Sequence, residues 1–245
     1  MKVEGKVSHL LSIQRAGFDF LKSITTRTPK VTIPPTMLHF LGDRKAISEE
    51  AYLETEEFYS DVAKAYQNEL RFLAERGANY VQLDDTNLAY LCDPKMREGA
   101  RQRGEDPDTL PRRYAQLINA AFADCPASLR IWMHLCRGNF KSAWVAEGGY
   151  EPVEEVLLNE LDVDGYFLEY DDERSGDFAP LRHVPKNKTV VLGLVTTKLQ
   201  EMETKDELKQ RIEEAARYMP LEQMALSPQC GFSSTVHGND IAFDS

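Results

Sequence analysis

The alternation of short apolar runs with amphipathic segments is the pattern that most constrains the fold of this 245-residue chain. In the amphipathic segments, apolar residues recur at spacings of three and four, which is typical of helices that bury one face. Repeated strand–helix alternation predicts a mostly parallel sheet covered by helices. The predicted strands are residues 31–38, 80–83, 129–133, 165–168, 189–195 and 224–226, and the predicted helices lie near 59–73, 114–122, 152–161 and 204–219.

Two closures of such a sheet fit the pattern, a doubly wound open sheet and a (β/α)8 barrel. The sequence contains no G-x-G-x-x-G or Walker loop, so the usual nucleotide-binding signatures of open sheets are missing. Chemistry-bearing residues stand instead at the carboxyl ends of several strands, where barrel enzymes build their active sites. We therefore predict an α/β fold of the (β/α)8 TIM-barrel type, with six strands identified and a more helical segment at residues 1–28.

Charge and composition exclude several classes of protein. The formal net charge of −11 argues against a nucleic-acid-binding protein and against docking on an anionic membrane, because both need a basic surface. No apolar run approaches the roughly 18 residues of a membrane helix, and the first residues lack a signal-peptide core. Four cysteines in a chain of this length do not make a disulfide framework. We expect a cytoplasmic protein whose thiols are available to a metal.

One imidazole, two thiols and a carboxylate stand at the ends of three predicted strands. His134 and Cys136 end one strand, Glu169 ends the next along the chain, and Cys230 follows the last. Residues i and i+2 of a strand point to the same side, so His134 and Cys136 can face one ion. Nitrogen, oxygen and sulfur donors of this kind bind Zn²⁺. The sequence therefore predicts a zinc site at this edge of the sheet.

Two further pairs of residues have other interpretations. Cys92 and Cys125 lie in or beside predicted helices, so we interpret them as core residues, the usual role of a buried cysteine. Asp84 and Asp85 end the strand 80–83 and, as neighbours in a strand, point in opposite directions. We expect one of them to face the barrel mouth, as a substrate-binding or general acid–base group, and the other to cap a loop.

Taken in order, these motifs resemble the catalytic barrel of cobalamin-independent methionine synthases and of their shorter single-barrel relatives, which include the epoxyalkane:coenzyme M transferase. The resemblance runs from about residue 28 to residue 239. It implies a TIM barrel with a catalytic zinc that binds the substrate thiol. The matching motifs are Asp84-Asp85, His134-x-Cys136-x-Gly138-Asn139, Glu169, Gly193-Leu194-Val195-Thr196-Thr197-Lys198 and Ser227-Pro228-Gln229-Cys230-Gly231-Phe232.

The resemblance also implies roles for individual residues. Four side chains correspond to the zinc ligands of the family, namely His134, Cys136, Glu169 and Cys230. Asp84 corresponds to the catalytic-site carboxylate that holds the amino group of homocysteine, and the backbone around Ser227 to a wall of the amino-acid pocket. A catalytic zinc usually keeps an open position beside three protein ligands. With four candidates, either the substrate sulfur displaces Glu169 or the zinc becomes five-coordinate.

The chain departs from the family pattern at three places. The Gly-Ser-Phe-Pro-like segment and the homocysteine-binding glutamate of the first two family strands are not found, and the family runs on into a closing helix after Asn239. We therefore expect one barrel domain over residues 1–245 that is truncated at both ends. Val195-Thr196-Thr197 stands where methionine synthases carry a histidine that protonates the folate leaving group. The single-barrel relatives share this last feature.

The function implied is zinc-dependent transfer of a methyl or other alkyl group to a small thiol, foremost homocysteine, which would give methionine. A thiol attacks carbon as its thiolate, and binding to Zn²⁺ deprotonates the sulfur. Two alternatives stand beside it, a thiol alkyltransferase that uses another electrophile or thiol, and a non-catalytic binding subunit. Since two strands are missing, we expect a homo-oligomer or a partner subunit that completes the barrel.

Overall fold

A single parallel sheet organises the molecule. The structure, a computed structural model, describes residues 2–34, 46–232 and 235–241. Within them six strands pair in consecutive order from β1 to β6, and every pairing is parallel. The strands are β1 (Val31–Ile33), β2 (Tyr80–Asp85), β3 (Arg130–Leu135), β4 (Gly165–Glu169), β5 (Thr189–Val195) and β6 (Met224–Pro228).

The consecutive strand order decides between the two predicted closures. A doubly wound sheet reverses its strand order at a switch point, with helices on both faces. Here each strand pairs with the next one in the chain, and right-handed crossovers of this kind keep all the helices on one face. The fold is therefore α/β of the TIM-barrel type, as predicted. The barrel is not closed, because within the described residues β1 and β6 pair on one side only.

The helices follow the predicted segments, with two additions. The α-helices are α1 (Arg15–Ile24), α2 (Thr55–Glu75), α3 (Asn87–Tyr90), α4 (Pro94–Gln102), α5 (Leu110–Phe122) and α6 (Lys205–Ala215). A π-helix covers Val156–Glu160, and 3-10 turns cover Glu173–Ser175, Ala179–His183 and Leu221–Gln223. The sequence did not predict α3 and α4, because both are short and lie in the single crossover between β2 and β3.

Alternate residues of the strands divide between two faces of the sheet. The face that packs on the helices, the helix face, is apolar and buried, with Val81, Leu83, Ile131, Met133, Tyr166, Leu168, Val190 and Leu192. The opposite face, the cavity face, carries Gln82, Asp84, Trp132, His134 and Phe167. The ring of Trp132 stacks on Tyr80 at 5.5 Å and lies 5.7 Å from Phe167. These aromatic rings form part of the inner wall below the polar residues.

The ends of helices α2 and α6 carry residues that favour these ends. Gly77, past the end of α2, has φ +91°, a backbone conformation that favours glycine. Thr204 and Glu207 form the capping box of α6. On α6, Leu208 and Ile212 are half-buried, whereas Ala215 at its end and Met219 beyond it are buried. The predicted strand 31–38 is described as a strand only over Val31–Ile33, and residues 35–45 lie outside the described part.

The segment before β1 packs on α2. Asp19 of α1 forms a two-point ion pair with Arg76, with contacts of 2.8 and 2.5 Å. The buried Glu69 of α2 accepts hydrogen bonds from Ser12 and from the backbone of Gln14. Large apolar side chains of this segment remain exposed: Leu10, Leu11, Ile13, Phe20 and Ile24. No helix within the described residues is long and apolar enough to span a lipid bilayer.

Candidate metal site and substrate cavity

The strand register brings the predicted metal ligands to one edge of the sheet. Asp84 of β2 pairs with His134 of β3, and His134 pairs with Phe167 of β4. Cys136 lies two residues beyond His134, and Glu169 lies two residues beyond Phe167, so both stand one step higher on the cavity face. Since all the strands run parallel, their carboxyl ends meet at this edge, as the sequence predicted.

The four donor side chains form a compact cluster with Cys230, which follows β6. One donor atom of each residue lies within 4.8 Å of the others. The Sγ atoms of Cys136 and Cys230 are 3.9 Å apart, and Cys230 Sγ is 3.5 Å from Glu169 Oε1. His134 Nε2 is 4.0 Å from the same carboxylate oxygen. His134 and Glu169 are buried, whereas the two thiols are half-buried toward the cavity.

The orientation of His134 suits a metal ligand. Its Nδ1 lies 3.3 Å from the carbonyl oxygen of Phe167 on the neighbouring strand. A proton on Nδ1 donated to that carbonyl leaves the Nε2 lone pair for an ion, the arrangement usual for metal-bound histidine. Nε2 is buried and has no hydrogen-bond partner in the described part of the chain. An unpaired buried nitrogen is costly unless a ligand completes it, so this atom supports a metal site.

Side-chain amides fix the loop that carries Cys230. Asn139 Nδ2 donates to the carbonyl oxygens of Cys230 and Gly231, at 3.0 and 2.8 Å. Gln229 Nε2 donates to the carbonyl oxygen of Gly193 on β5, at 2.6 Å. Gly138 has φ +98°, and a Cβ there would lie 2.9 Å from the backbone nitrogen of Val145. The turn that places Asn139 therefore requires glycine.

The electrostatics of the two thiols are coupled. The hydrogen bond that Cys136 and Cys230 share lowers the pKa of Cys136 and raises the pKa of Cys230, and burial adds to the rise at Cys230. Of the two thiols, Cys136 is therefore the one that loses its proton more readily. Burial alone would lower the pKa of His134, but the neighbouring Cys230, Glu169 and Asp84 together raise it.

This donor set fits zinc. Two sulfurs, one imidazole nitrogen and one carboxylate oxygen are the donor types that zinc takes, and a borderline-soft ion matches both thiolate and imidazole. One donor atom of each of these residues lies within 4.8 Å of the others, close enough for one ion to contact all four. The site thus has the composition predicted from the sequence, with all four residues brought together.

A cavity of about 770 Å³ opens above these donors. Its wall includes Asp84 and Ser227, the two residues predicted to contact substrate. Asp84 is half-buried, and its Oδ1 accepts a hydrogen bond from Gln82 Nε2 at 2.6 Å. Lys30, before β1, also lines the cavity, with its Nζ 4.2 Å from the ring centre of Phe167. Burial lowers the pKa of Lys30, and the Asp84 charge partly opposes that shift.

Asp85 has the second role expected of the acidic pair. Its side chain is fully buried and points away from the cavity. It accepts hydrogen bonds from the Asn87 side chain at 2.9 Å and from the Leu88 backbone at 2.8 Å, which caps the start of α3. Its backbone carbonyl accepts from the Cys136 N–H at 2.7 Å. Asp85 therefore builds the strand end on which the metal donors stand.

The remaining cysteines lie away from the site. Burial raises the pKa of Cys92 to about 12 and that of Cys125 to about 11. Cys92 is buried in the core and its Sγ contacts the carbonyl oxygen of Leu88 at 3.5 Å. No disulfide joins any of the four cysteines. The interpretation of these two as packing residues agrees with their positions.

Sequence reasoning missed residues that hold the site in place. Asn139 belongs to the quoted H-x-C-x-G-N motif, and that context is the signal by which it could have been found. Gln229 stands next to Cys230 in the same way. Arg174 contacts Glu169 from a loop five residues further along the chain, inside an acidic stretch, and no spacing rule points to it.

Comparison with known proteins places the chain in a family. A family model described as the catalytic domain of cobalamin-independent synthase matches residues 30–241. The chain belongs to the cobalamin-independent methionine synthase family. Two Bacillus subtilis (strain 168) proteins, Uncharacterized protein YxjH and Uncharacterized protein YxjG, are each 46% identical to it over 98% of this chain. A protein named methionine synthase from Pyrococcus furiosus is 25% identical over 87% of the chain and 54% of its own length.

Solved structures agree with the fold. A Listeria monocytogenes protein superposes with a TM-score of 0.77 at 39% identity, covering 95% of this chain and 67% of its own. A B12-independent methionine synthase from Shewanella sp. W3-18-1, solved in complex with selenomethionine, gives a TM-score of 0.70 at 18% identity, with 93% and 62% covered. The chain spans 63% and 64% of the lengths of YxjH and YxjG.

Proposed function

We propose that the protein transfers a methyl group to a small thiol, with homocysteine as the acceptor and zinc as the cofactor. The observation that carries this proposal is the cluster of two thiols, an imidazole and a carboxylate at the floor of an open cavity. Membership of the cobalamin-independent methionine synthase family supports the same reaction. The proposal treats residues 1–245 as one barrel-type domain and places it in the cytoplasm, where cysteine thiols stay reduced and available to a metal.

Each group at the site has a definable task. His134, Cys136, Glu169 and Cys230 would hold the metal. Bound zinc would take up the substrate sulfur and keep it as the nucleophilic thiolate. Asp84 stands on the same face, one strand from His134, and would accept the ammonium group of an amino-acid thiol. The backbone around Ser227 closes the opposite side of the cavity and would orient the rest of the acceptor.

The experiment that tests this function is a product assay on the zinc-loaded protein. Homocysteine is incubated with 5-methyltetrahydrofolate, with a methylsulfonium such as S-methylmethionine, or with a small epoxide, and the S-alkylated product is identified by mass spectrometry. We expect methionine from at least one methyl donor, and no product with Cys230→Ala. Absence of S-alkylated thiol with every donor would contradict the proposal and favour a binding subunit.

A second candidate is alkyl transfer from another electrophile or to another thiol. The observation in its favour is the end of β5, where Val195, Thr196 and Thr197 supply no imidazole to protonate a leaving group. An opened epoxide would be the product that distinguishes this candidate from methyl transfer in the same assay.

A further inference from the structure

The two carboxylate oxygens of Glu169 have different surroundings. Oε1 faces the donor cluster, 3.5 Å from Cys230 Sγ and 4.0 Å from His134 Nε2, and it also accepts the Arg137 backbone N–H at 3.3 Å. Oε2 instead lies 3.3 Å from Arg174 Nη2. The Glu169 side chain is 1% exposed. A carboxylate buried this deeply needs a partner of opposite charge, and Arg174 is in contact with it.

Arg174 is itself held in place from several directions. Its Nη2 donates to Asp171 Oδ1 at 2.8 Å and its Nη1 donates to Asp172 Oδ2 at 2.6 Å. The guanidinium lies 4.9 Å from the ring centre of Trp144, and the side chain is 5% exposed. Its backbone carbonyl accepts the Gly148 N–H at 2.7 Å. Because the guanidinium is held at so many points, its position is fixed. The position of the Glu169 oxygen that contacts it is therefore fixed as well.

The other buried arginine near the site does not do this. The guanidinium of Arg137 donates to the carbonyl oxygen of Gly148 and lies 4.5 Å from the ring centre of Tyr150. Only the backbone N–H of Arg137 contacts Glu169, and it contacts Oε1. Arg174 is therefore the side chain that engages Oε2.

We propose that Arg174 is a positioning residue that makes Glu169 a one-oxygen metal ligand. With Oε2 held by the fixed guanidinium, only Oε1 is presented to the ion. Groups that hold the outer atoms of metal ligands set ligand orientation and metal affinity, and their loss typically lowers affinity by about 10–100-fold. This inference rests on the proposed function, because it presumes that the cluster binds zinc.

The test compares zinc binding by the full chain and three variants. Arg174→Gln removes both the positive charge and the planar guanidinium. Arg174→Lys keeps the charge but loses the guanidinium, which can donate two hydrogen bonds side by side. Arg112→Gln is the matched control, since Arg112 forms a two-point pair with Glu160 on the exposed surface. Zinc affinity is measured by competition with a chromophoric chelator, the zinc neighbours by X-ray absorption, and folding by thermal unfolding.

We expect a loss of affinity of about tenfold or more in Arg174→Gln, a smaller loss in Arg174→Lys, and no change in Arg112→Gln. The X-ray absorption spectrum of zinc-loaded Arg174→Gln should show altered oxygen and nitrogen neighbours of the zinc, with both sulfur neighbours retained. Should Arg174→Gln fail to fold, the decision rests on Arg174→Lys. Unchanged affinity and spectrum in whichever Arg174 variant folds would overturn the positioning role. If the wild-type chain binds no zinc, the proposed function itself fails.

Discussion

Adjacent residues on the two faces of this sheet behave in opposite ways. Asp84 and Asp85 are neighbours in β2, and both are acidic. On the helix face, Asp85 is fully buried and receives hydrogen bonds from Asn87 and Leu88. On the cavity face, Asp84 is half-buried beside a cavity, with a hydrogen bond from Gln82 to one oxygen. The first builds structure, whereas the second borders the cavity.

The cysteines repeat this contrast. Cys92 and Cys125 pack among apolar residues, and burial raises the pKa of both thiols. Cys136 and Cys230 share a hydrogen bond beside an imidazole and a carboxylate, and that contact lowers the pKa of Cys136. The residue type is the same, so the difference comes from what surrounds each thiol. Apolar side chains surround the first pair, whereas metal-binding donor groups beside the cavity surround the second.

The largest expected effect is the loss of zinc when a histidine or cysteine of the donor cluster is replaced, which a cysteine elsewhere in the chain should not cause. We predict about one zinc per chain in the wild-type protein, and a content close to zero in His134→Ala and in Cys230→Ala. Losing one of so few ligands removes a large share of metal affinity. Cys125→Ala is the control and should keep its zinc. Metal content is measured on purified, dialysed protein, and full retention in both site variants would show that the assignment is wrong.

The next effect concerns the end of β5, where Val195, Thr196 and Thr197 supply no imidazole. We predict that 5-methyltetrahydrofolate is a poorer methyl donor than a methylsulfonium, by about 10²–10⁴-fold in kcat/KM. The folate leaving group is an amine that must be protonated, whereas a sulfonium leaves as a neutral thioether. Initial rates with homocysteine and each donor give the comparison.

Rapid turnover of the folate would contradict this prediction and require another acid. Lys198 follows Thr197 directly, and its side chain is 3% exposed. It would need a path to the cavity to act as that acid. His39, which follows the first strand in the sequence and is a second possible acid, lies outside the described residues. Rate measurements on Lys198→Met would then show whether Lys198 or His39 is that acid.

The fold and the donor cluster were predictable because each depends on a local pattern. Strand–helix alternation requires only periodicity, and the i, i+2 spacing of His134 and Cys136 directly predicts a shared side. Even the opposite directions of Asp84 and Asp85 follow from the pleat of a strand.

The rest depended on side-chain contacts that no sequence spacing predicts. Glu69 holds the segment before β1 from more than 50 residues away, and Arg174 engages Glu169 through a loop with no regular spacing. Helices α3 and α4 were missed because they are short and their caps come from Asp85 and Asp93. Such side-chain to backbone bonds leave only a weak mark on the sequence.

A smaller effect sharpens the contrast between Asp84 and Asp85. We predict that Asp84→Asn weakens binding of homocysteine by about 1.5–3 kcal/mol, the range of a charge-assisted hydrogen bond, and leaves zinc in place. A simple alkyl thiol without an amine should bind equally well to both forms. Asp85→Asn should instead lower the free energy of unfolding by about 1–3 kcal/mol, because a buried acceptor is lost.

Calorimetric titration with the two thiols and denaturant unfolding separate these outcomes. The ratio of the two thiol affinities should change in Asp84→Asn and stay constant in Asp85→Asn. Equal losses for both thiols in Asp84→Asn would show that this carboxylate does not hold the amine.

The smallest expected effect concerns the two outer strands of the sheet. In the described structure β1 and β6 each lack a neighbour on one side, and Leu226 of β6 is 47% exposed. Unpaired strand edges and apolar surface favour association. We predict that the 27.9 kDa chain self-associates, or pairs with a subunit that supplies strands, and that Leu226→Lys weakens self-association by about 1 kcal/mol.

Light scattering over a range of concentrations measures this self-association. Leu53→Lys, which replaces an exposed leucine before α2, is the control. A mass that stays monomeric at every concentration, even after removal of residues 1–28, would show that the open edges are not a binding surface for a second copy.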